Sequence, residues 1–353
     1  MMNFDLSILT WMQQFFGPES WHVWNWITDL GSPPFLILII GMTLWIGGTA
    51  RGLRLLFATM ASSVIVGFLK VLIMQPRPYY IYEDVQAWRD STGFGMPSGH
   101  ASGAMSLWGT LVLSLRRQWV FALSMLLVFL IGISRVYFGV HSPSQILIGW
   151  GIGLGILFAI QCGEKRAIRI FKSLRLGGQL ALALGTLLLM LGLQATFIDG
   201  RAANFETPTQ WTERYHEARI FEATVAGEVE DRFPPLELFG TFETDNVGAV
   251  FGMWLVAIYV ARFGGFEGFS RRQKIVNVVL GLSWVALLLP IIELVEHSFG
   301  LGLLVWTSIP VMLGVGIPVL GSRVCRRFGW SQSMVVPNNT MLGGTKVGVQ
   351  PSE

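Results

Sequence analysis

Met96-Pro97-Ser98-Gly99-His100 stands directly before an apolar run that extends over residues 101–115. The pattern predicts a turn that opens into a helix, with Ser98 as the N-cap and Gly99 as a point where a ligand approaches the backbone. Free N–H groups and the positive end of the helix dipole then point at one place, where an anion binds well. His100 follows directly, and its side chain moves a proton near neutral pH. Taken alone, these residues are equally consistent with an ordinary helix cap beside a histidine of no special role.

The composition is that of a membrane protein with many spans. The chain has 353 residues, of which 52% are hydrophobic and 13% are charged, and its mean hydropathy is +0.55. This balance excludes an ordinary soluble enzyme. Its two cysteines, Cys162 and Cys325, fall beside basic segments, so we expect no disulfide framework.

Nine apolar runs are long enough, or nearly so, to cross a bilayer. They cover residues 33–50, 54–74, 100–115, 119–136, 143–161, 178–197, 246–262, 275–296 and 301–320. An outer N-terminus places 17 of the 25 Lys and Arg residues in inner segments. Because inner loops carry the excess of positive charge, we expect an outer N-terminus and an inner C-terminus. The predicted fold class is an all-α polytopic membrane helix bundle with its functional core in the first five to six helices.

The chain divides into six expected regions. They are an amphipathic outer-face segment (1–32), the core helices (33–162), a basic inner loop with the sixth helix (163–197), an acidic outer loop (198–245), a C-terminal three-helix membrane unit (246–321) and an inner polar tail (322–353). The first region is rich in Trp and Phe and has no Lys or Arg, which favours a membrane-surface segment over a poor first span. The acidic loop is predicted either to form a folded cap, with a helix over Trp211 to Ala226, or to be a solvated spacer.

Two further stretches on the expected outer face carry cations and a second histidine. Lys70 and Arg77 lie at the end of the second run, and Arg135 and His141 lie between the fourth and fifth runs. Any one of these cations could simply extend to the membrane surface, but a set of three near the bilayer indicates a function. Arg forks and Lys suit phosphate oxygens. One histidine can attack phosphorus and another can protonate the leaving oxygen.

These stretches resemble the three signatures of the type 2 phosphatidic acid phosphatase superfamily, Lys-x6-Arg-Pro, Pro-Ser-Gly-His and Ser-Arg-x5-His-x3-Asp. The first matches Lys70 to Pro78 and the second matches Pro97 to His100. The third matches Ser134 to Gln145 except at its last position, where Gln145 replaces Asp. The resemblance covers approximately residues 33–162, the expected phosphatase core.

The resemblance implies a role for each matching residue. His141 is the implied nucleophile, which forms a phosphohistidine, and His100 is the implied acid and then base. The implied phosphate cradle consists of Lys70, Arg77, Ser98, Gly99 and Arg135. Neither a metal nor a cofactor is implied, since the cations stand where other phosphatases use metal ions.

Gln145 is the one departure from the signatures. The Asp of most members holds the nucleophilic histidine in the right tautomer and supports its positive charge, whereas a Gln carbonyl provides only the first, so we expect a weaker nucleophile. Gln also occupies this position in the glucose-6-phosphatase and dolichyl pyrophosphate phosphatase branches. In addition, Ser142 to Gln145 reads as a capping box with Pro143 at the first helical position.

The sequence therefore predicts an integral-membrane phosphatase that hydrolyses a phosphate monoester or pyrophosphate, with a lipid phosphate, phosphatidic-acid-like or isoprenyl pyrophosphate, as the preferred substrate. A sugar-phosphate phosphatase similar to glucose-6-phosphatase and a phosphotransferase are the alternatives within the same chemistry. A non-catalytic protein that binds or transports a phosphorylated ligand is the alternative of another class. The expected partners are the substrate and the lipid bilayer, without nucleic acid, and the expected location is a bacterial inner membrane with the site facing the periplasm. The oligomeric state is left open.

Overall fold

The described part of the protein is built mostly from helices. A computed structural model describes residues 3–227, 235–239, 244–295, 299–330 and 335–336. Within these ranges the α-helices are α1 (Asn3–Phe16), α2 (Trp21–Asp29), α3 (Pro33–Met42), α4 (Thr49–Ile73), α5 (Pro78–Ile81), α6 (Gly99–Leu115), α7 (Gln118–Tyr137), α8 (Pro143–Ser173), α9 (Leu176–Leu193), α10 (Asp199–Ala202), α11 (Thr209–Ala226), α12 (Thr244–Phe263), α13 (Arg271–Val295), α14 (Phe299–Val311) and α15 (Ile317–Arg327). Two short antiparallel strands, β1 (Gly265–Phe266) and β2 (Val335–Val336), pair with each other. The expected all-α class is confirmed, while most of the expected tail 322–353 and part of the acidic loop lie outside the described residues.

The chain is an integral membrane protein with several spans. Seven described helical segments are long and apolar enough to cross a bilayer. They are Thr49–Ile81, Gln118–Tyr137, Pro143–Ser173, Leu176–Ala202, Asp245–Phe263, Arg271–Ile292 and Gly300–Arg327. Large apolar side chains on the outside of these segments, such as Phe121, Phe129 and Phe158, are exposed. Such a surface matches lipid and not water.

The predicted count of nine spans is not confirmed. The run at 33–50 is interrupted, because α3 gives way to a π-helical turn at Thr43–Gly47, and the pair Pro18–Asp29 and Pro33–Gly47 is bent by 42°. If that pair is one broken span, the described part has eight. Helix α6 has only 17 residues, and ten consecutive ones, residues 101–110, are buried within the protein. Its apolar run therefore reflects burial among helices as much as contact with lipid.

The helices form two compact units. The first comprises Met1–Ile39, Arg54–Ile160 and Leu187–Val247, and the second comprises Ile40–Leu53, Gln161–Thr186 and Gly248–Glu353. Every candidate site residue lies in the first unit. Inside the second unit, α13 packs on α15, and the Asn277 amide donates to the carbonyl of Trp45 at 3.4 Å.

The core of the first unit is aromatic and includes the N-terminal segment. Tyr79, Phe94 and Phe138 are fully buried in it. Trp24 of α2 stacks on Tyr137 of α7, with ring centroids 5.3 Å apart. On the opposite side of the same segment the large aromatic rings are exposed, namely Trp11 (57%), Phe15 (66%) and Trp26 (77%). The segment is therefore amphipathic, and its exposed aromatic rings suit a membrane surface.

Candidate active site

Arg77, in the stretch from Lys70 to Pro78, is surrounded by backbone carbonyl groups, which together form a carbonyl cage. Its Nε donates to the carbonyl of Gly93 at 3.0 Å, its Nη1 to that of Val140 at 3.1 Å, and its Nη2 to that of Thr92. The side chain is only 1% exposed. A guanidinium offers five donors in a rigid fork, so three fixed acceptors leave it little freedom. Arg77 is therefore a fixed positive charge.

The second stretch forms the predicted helix start. Ser98 is the N-cap of α6 and its hydroxyl accepts from the N–H of Ala101 at 3.4 Å, which confirms the predicted cap. Its own N–H donates to the carbonyl of Gln145 at 3.2 Å, so this turn is tied to the third stretch. His100 is the second residue of α6 and packs beside Gly31, where an added Cβ would lie 3.2 Å from its Cδ2.

The third stretch holds His141 in a turn between α7 and α8. The backbone N–H of His141 donates to the carbonyl of Arg135 at 3.2 Å. Gln145 and Ser142 form the predicted capping box, since Ser142 N–H donates to Oε1 of Gln145 at 3.3 Å and Gln145 N–H donates to Oγ of Ser142 at 3.4 Å. Pro143 is the first residue of α8, as predicted. The box leaves the Gln145 side chain beside the imidazole.

The two imidazole nitrogens of His141 have different partners. Oε1 of Gln145 lies 3.1 Å from Nδ1, and Nη1 of Arg77 lies 3.2 Å from Nε2. Because Arg77 can only donate, Nε2 accepts and the proton is on Nδ1, where Oε1 of Gln145 accepts it. Burial and the nearby cations hold the pKa of His141 well below its ordinary value, against the opposing hydrogen bond with Gln145. The imidazole is therefore neutral with a lone pair on Nε2.

Three site cations, Lys70, Arg77 and Arg135, surround this point. Burial and these three cations lower the pKa of both His141 and His100, so the cations lie close enough to both imidazoles to interact with them. Arg135 is 3% exposed and its Nη1 donates to Oγ1 of Thr28 at 2.9 Å. Its Nε is buried and has no hydrogen-bond partner among the described residues. An orphaned donor in a cluster of cations is what a site for an anion would leave free.

Glycines allow the three stretches to approach so closely. The N–H of Gly95 donates to the carbonyl of Gln75 at 2.7 Å, and a Cβ on Gly95 would lie 2.8 Å from the carbonyl oxygen of Pro76. On α8, an added Cβ at Gly149 would lie 2.6 Å from the carbonyl oxygen of Ser98. Gly149 therefore lets α8 pack closely on the start of α6, whereas nothing lies within 4 Å of a Cβ added at Gly151.

Helix α11 covers the loop that carries these carbonyls. Trp211 stacks on the buried Tyr80, with ring centroids 5.5 Å apart, so the predicted helix in the acidic loop is folded against the protein. Glu222 accepts from the N–H of Asp90 at 3.0 Å. The Asp90 carboxylate accepts from Nη1 of Arg219 at 2.9 Å. Burial and the neighbouring Asp90 carboxylate raise the pKa of Glu222 to about 7.

The N-terminal segment supplies contacts that sequence reasoning missed. Asp5 is 4% exposed and accepts from Ser144, and Gln13 donates to the carbonyl of Tyr137 at 2.9 Å. Thr28 holds Arg135, as described above. No spacing or motif marks these residues. The signal in the sequence was the presence of polar groups on the apolar side of an amphipathic segment.

Comparison with known proteins identifies relatives of this chain. The sequence profile of the PAP2 superfamily matches residues 51–168. Phosphatidylglycerophosphatase B of Bacillus subtilis is 30% identical over 161 residues, which are 42% of this chain and 77% of the relative. Undecaprenyl-diphosphatase of Sulfolobus acidocaldarius is 30% identical over 112 residues, 30% of this chain and 52% of the relative. Human glucose-6-phosphatase 3 is 26% identical over 220 residues, 55% of this chain and 62% of the relative.

The apolar helices and these relatives define the class as a membrane phosphatase, a phosphoric ester hydrolase. The chain belongs to the PAP2 superfamily, the type 2 phosphatidic acid phosphatases that its three signatures resemble.

Proposed function

We propose that the protein hydrolyses a lipid phosphate or pyrophosphate at the membrane surface, through a phosphohistidine on His141. The observation that carries this proposal is the pair of contacts on the His141 ring. Gln145 holds the proton on Nδ1, and Arg77 touches Nε2, the atom that would attack. A neutral imidazole with a directed lone pair is an activated nucleophile.

The first step transfers the phosphoryl group to His141. The substrate phosphate lies among the site cations and takes the Nη1–H of Arg77 from Nε2, which frees the lone pair. That pair forms the N–P bond while the P–O bond to the leaving group breaks. The electron pair of the broken bond stays on the leaving oxygen. Burial and the nearby cations lower the pKa of His100, but the negative charge of the bound phosphate opposes them, so His100 is protonated in the complex and delivers its proton to that oxygen. The fixed charges of Arg77 and Arg135 stabilise the equatorial oxygens, with the Gly99 N–H and Ser98 at the helix start.

The second step returns the enzyme to its first state. His100, now neutral, takes a proton from a water molecule, whose oxygen attacks phosphorus. The N–P bond breaks, its electrons return to Nε2, and inorganic phosphate leaves. A lipid or sugar hydroxyl in place of water would make the protein a phosphotransferase by the same chemistry.

A lipid is the favoured substrate class because the chain is embedded in the bilayer and two of the relatives are named for lipid substrates. The excess of Lys and Arg in the expected inner loops supports an outer-facing site, periplasmic in a bacterial inner membrane. Glucose 6-phosphate is the second candidate, because the match to human glucose-6-phosphatase 3 covers 55% of this chain, more than either lipid phosphatase match.

Phosphate release by the purified protein in detergent with EDTA tests the proposal. The panel holds phosphatidylglycerol phosphate, an isoprenyl pyrophosphate and glucose 6-phosphate. We expect release from a lipid substrate, inhibition by vanadate, and loss of activity in His141→Ala by a factor of about 1,000 or more. His22→Ala, at an exposed histidine of the same unit, is the matched control and keeps full activity. Activity that survives in His141→Ala would exclude this nucleophile, and no release from any substrate would favour a non-catalytic ligand-binding protein.

A further inference from the structure

Asp5 is a buried carboxylate that the proposed chemistry does not use. It lies on α1, is 4% exposed, and sits against the start of α8. Its Oδ1 accepts from the N–H of Ser144 at 3.0 Å and its Oδ2 from the hydroxyl of Ser144 at 2.8 Å. Burying a carboxylate is costly, so one that is held by two donors at a helix start is expected to have a function there.

The hydroxyl groups beyond Ser144 continue the contact toward the site. Oγ of Ser142 lies 3.0 Å from Oγ of Ser144. Since the Ser144 hydroxyl gives its proton to Asp5, its oxygen accepts from the Ser142 hydroxyl. The Ser142 oxygen in turn accepts from the N–H of Gln145 at 3.4 Å. Asp5 thus sets the direction of the two serine hydroxyl groups, while the backbone N–H of Gln145 can only donate.

The series ends on the imidazole. The side chain of the same Gln145 accepts at Oε1 from the N–H of Ser142 and from Nδ1 of His141, at 3.3 and 3.1 Å. A shift of the Ser142–Gln145 turn would therefore move the acceptor that selects the His141 tautomer. Polar networks of this kind couple their members more strongly than isolated contacts do.

We propose that Asp5 is a positioning residue for His141, acting through Ser144, Ser142 and Gln145. The inference rests on the proposed function, since it assigns the N-terminal segment a part in holding the nucleophile. It also gives the otherwise neutral Gln145 turn a carboxylate partner, supplied from a helix far away in the sequence.

Steady-state kinetics of Asp5 and Ser144 variants test the inference, with the substrate that the wild-type protein hydrolyses fastest. We expect Asp5→Ala to lower kcat roughly 3- to 30-fold, a fraction of the about 10- to 150-fold that a hydrogen bond to a charged group is worth, because Asp5 acts on His141 only through other residues. The KM should change less than about twofold, because Asp5 touches none of the cradle residues. Asp5→Asn keeps an acceptor for the Ser144 N–H and should recover most of the lost kcat. Gln14→Ala, at an exposed position of α1, is the matched control and should behave as wild type.

A double-mutant cycle separates positioning from a general loss of stability. Ser144→Ala breaks the same series, so adding Asp5→Ala to it should cost much less than Asp5→Ala costs alone. Unchanged kcat in Asp5→Ala, or an equal loss in both backgrounds, would overturn the inference. An active wild type whose activity survives in His141→Ala would instead refute the proposed function itself. If Asp5→Ala does not fold, Asp5→Asn and Ser144→Ala carry the same comparison.

Discussion

The side-chain amide of Gln145 bridges two groups of opposite hydrogen-bonding character. Its Oε1 accepts from Nδ1 of His141 at 3.1 Å, and its Nε2 donates to the carbonyl of Pro76 at 3.3 Å. A carboxylate can only accept, so at this position it would set one oxygen against the carbonyl oxygen of Pro76. The structure thus gives a physical reason for an amide where most of the superfamily has Asp.

Changing Gln145 to Glu should alter the pH dependence of the reaction. The pKa of His141 is held well below its ordinary value, so in the wild type the neutral nucleophile persists into acidic solution. A carboxylate beside Nδ1 favours the imidazolium and raises that pKa. Gln145→Glu should therefore lose activity at a higher pH than the wild type as the solution is acidified. The measurement is kcat/KM between about pH 5 and about pH 8. Superimposable acid limbs for the two proteins would contradict the assigned contact.

Arg77→Lys should inactivate the protein although the charge is retained. Lys has no planar fork, so it cannot serve the carbonyls of Thr92, Gly93 and Val140 and also reach a phosphate. We expect kcat/KM to fall about 100-fold or more, the scale for losing one preorganised donor.

The control for this change is Arg117→Lys, at an exposed position before α7, which should leave the kinetics unchanged. Near wild-type turnover by Arg77→Lys would mean that the carbonyl cage has no part in catalysis.

Gly95→Ala should disturb the site through the backbone. The added Cβ would lie 2.7 Å from Nε2 of Gln145 and 2.8 Å from the carbonyl oxygen of Pro76, closer than real Cβ atoms approach. We expect a loss of kcat of at least about tenfold, since the shift moves the group that holds His141. Gly151→Ala is the matched control, because nothing lies within 4 Å of its added Cβ. Equal activity of the two variants would count against the close approach of the stretches.

The buried Glu222 carboxyl group accepts from the N–H of Asp90 and lies beside the Asp90 carboxylate. This contact should make the free energy of unfolding depend on pH. The pKa of Glu222 is raised to about 7 in the folded protein, above its ordinary value of 4.5. The folded state therefore binds this proton more tightly than the unfolded state, and its contribution to the free energy of unfolding falls as pH rises from 4.5 to about 7. Glu222→Gln should remove that part of the decline.

Thermal unfolding in detergent at several pH values measures this effect. Glu217→Gln is the control on the same helix, since Glu217 is 57% exposed. If the unfolding midpoint of Glu222→Gln declined with pH as steeply as that of the wild type, the raised pKa would be wrong.

The predicted site residues are easier to recognise in the sequence than the residues that hold them in place. Lys70, Arg77, Arg135 and both site histidines are recognisable because the motif spacing is local, and Ser98 caps α6 as its position predicts. Thr28 and Asp5 are not recognisable, because their partners Arg135 and Ser144 lie 107 and 139 residues away. Such contacts depend on how the N-terminal segment packs on α7, which no local pattern encodes.

The span count of nine is not confirmed, for a related reason. An apolar run predicts burial, and burial in protein looks the same as burial in lipid when the run is short. Helix α6 is such a case, with 17 residues and a stretch that is buried on all sides. The break after α3 was equally hidden, since residues 33–50 read as one continuous apolar run.

The most direct test of the account is to trap the covalent intermediate. The purified protein is mixed with a substrate labelled in its terminal phosphate, quenched in alkali within the first turnovers, and digested for mass spectrometry. We predict an alkali-stable, acid-labile phosphoryl group on His141, absent from His141→Ala and undiminished in His22→Ala. An active protein that carries no label on His141, or a label on another residue, would contradict the central claim that His141 is the nucleophile.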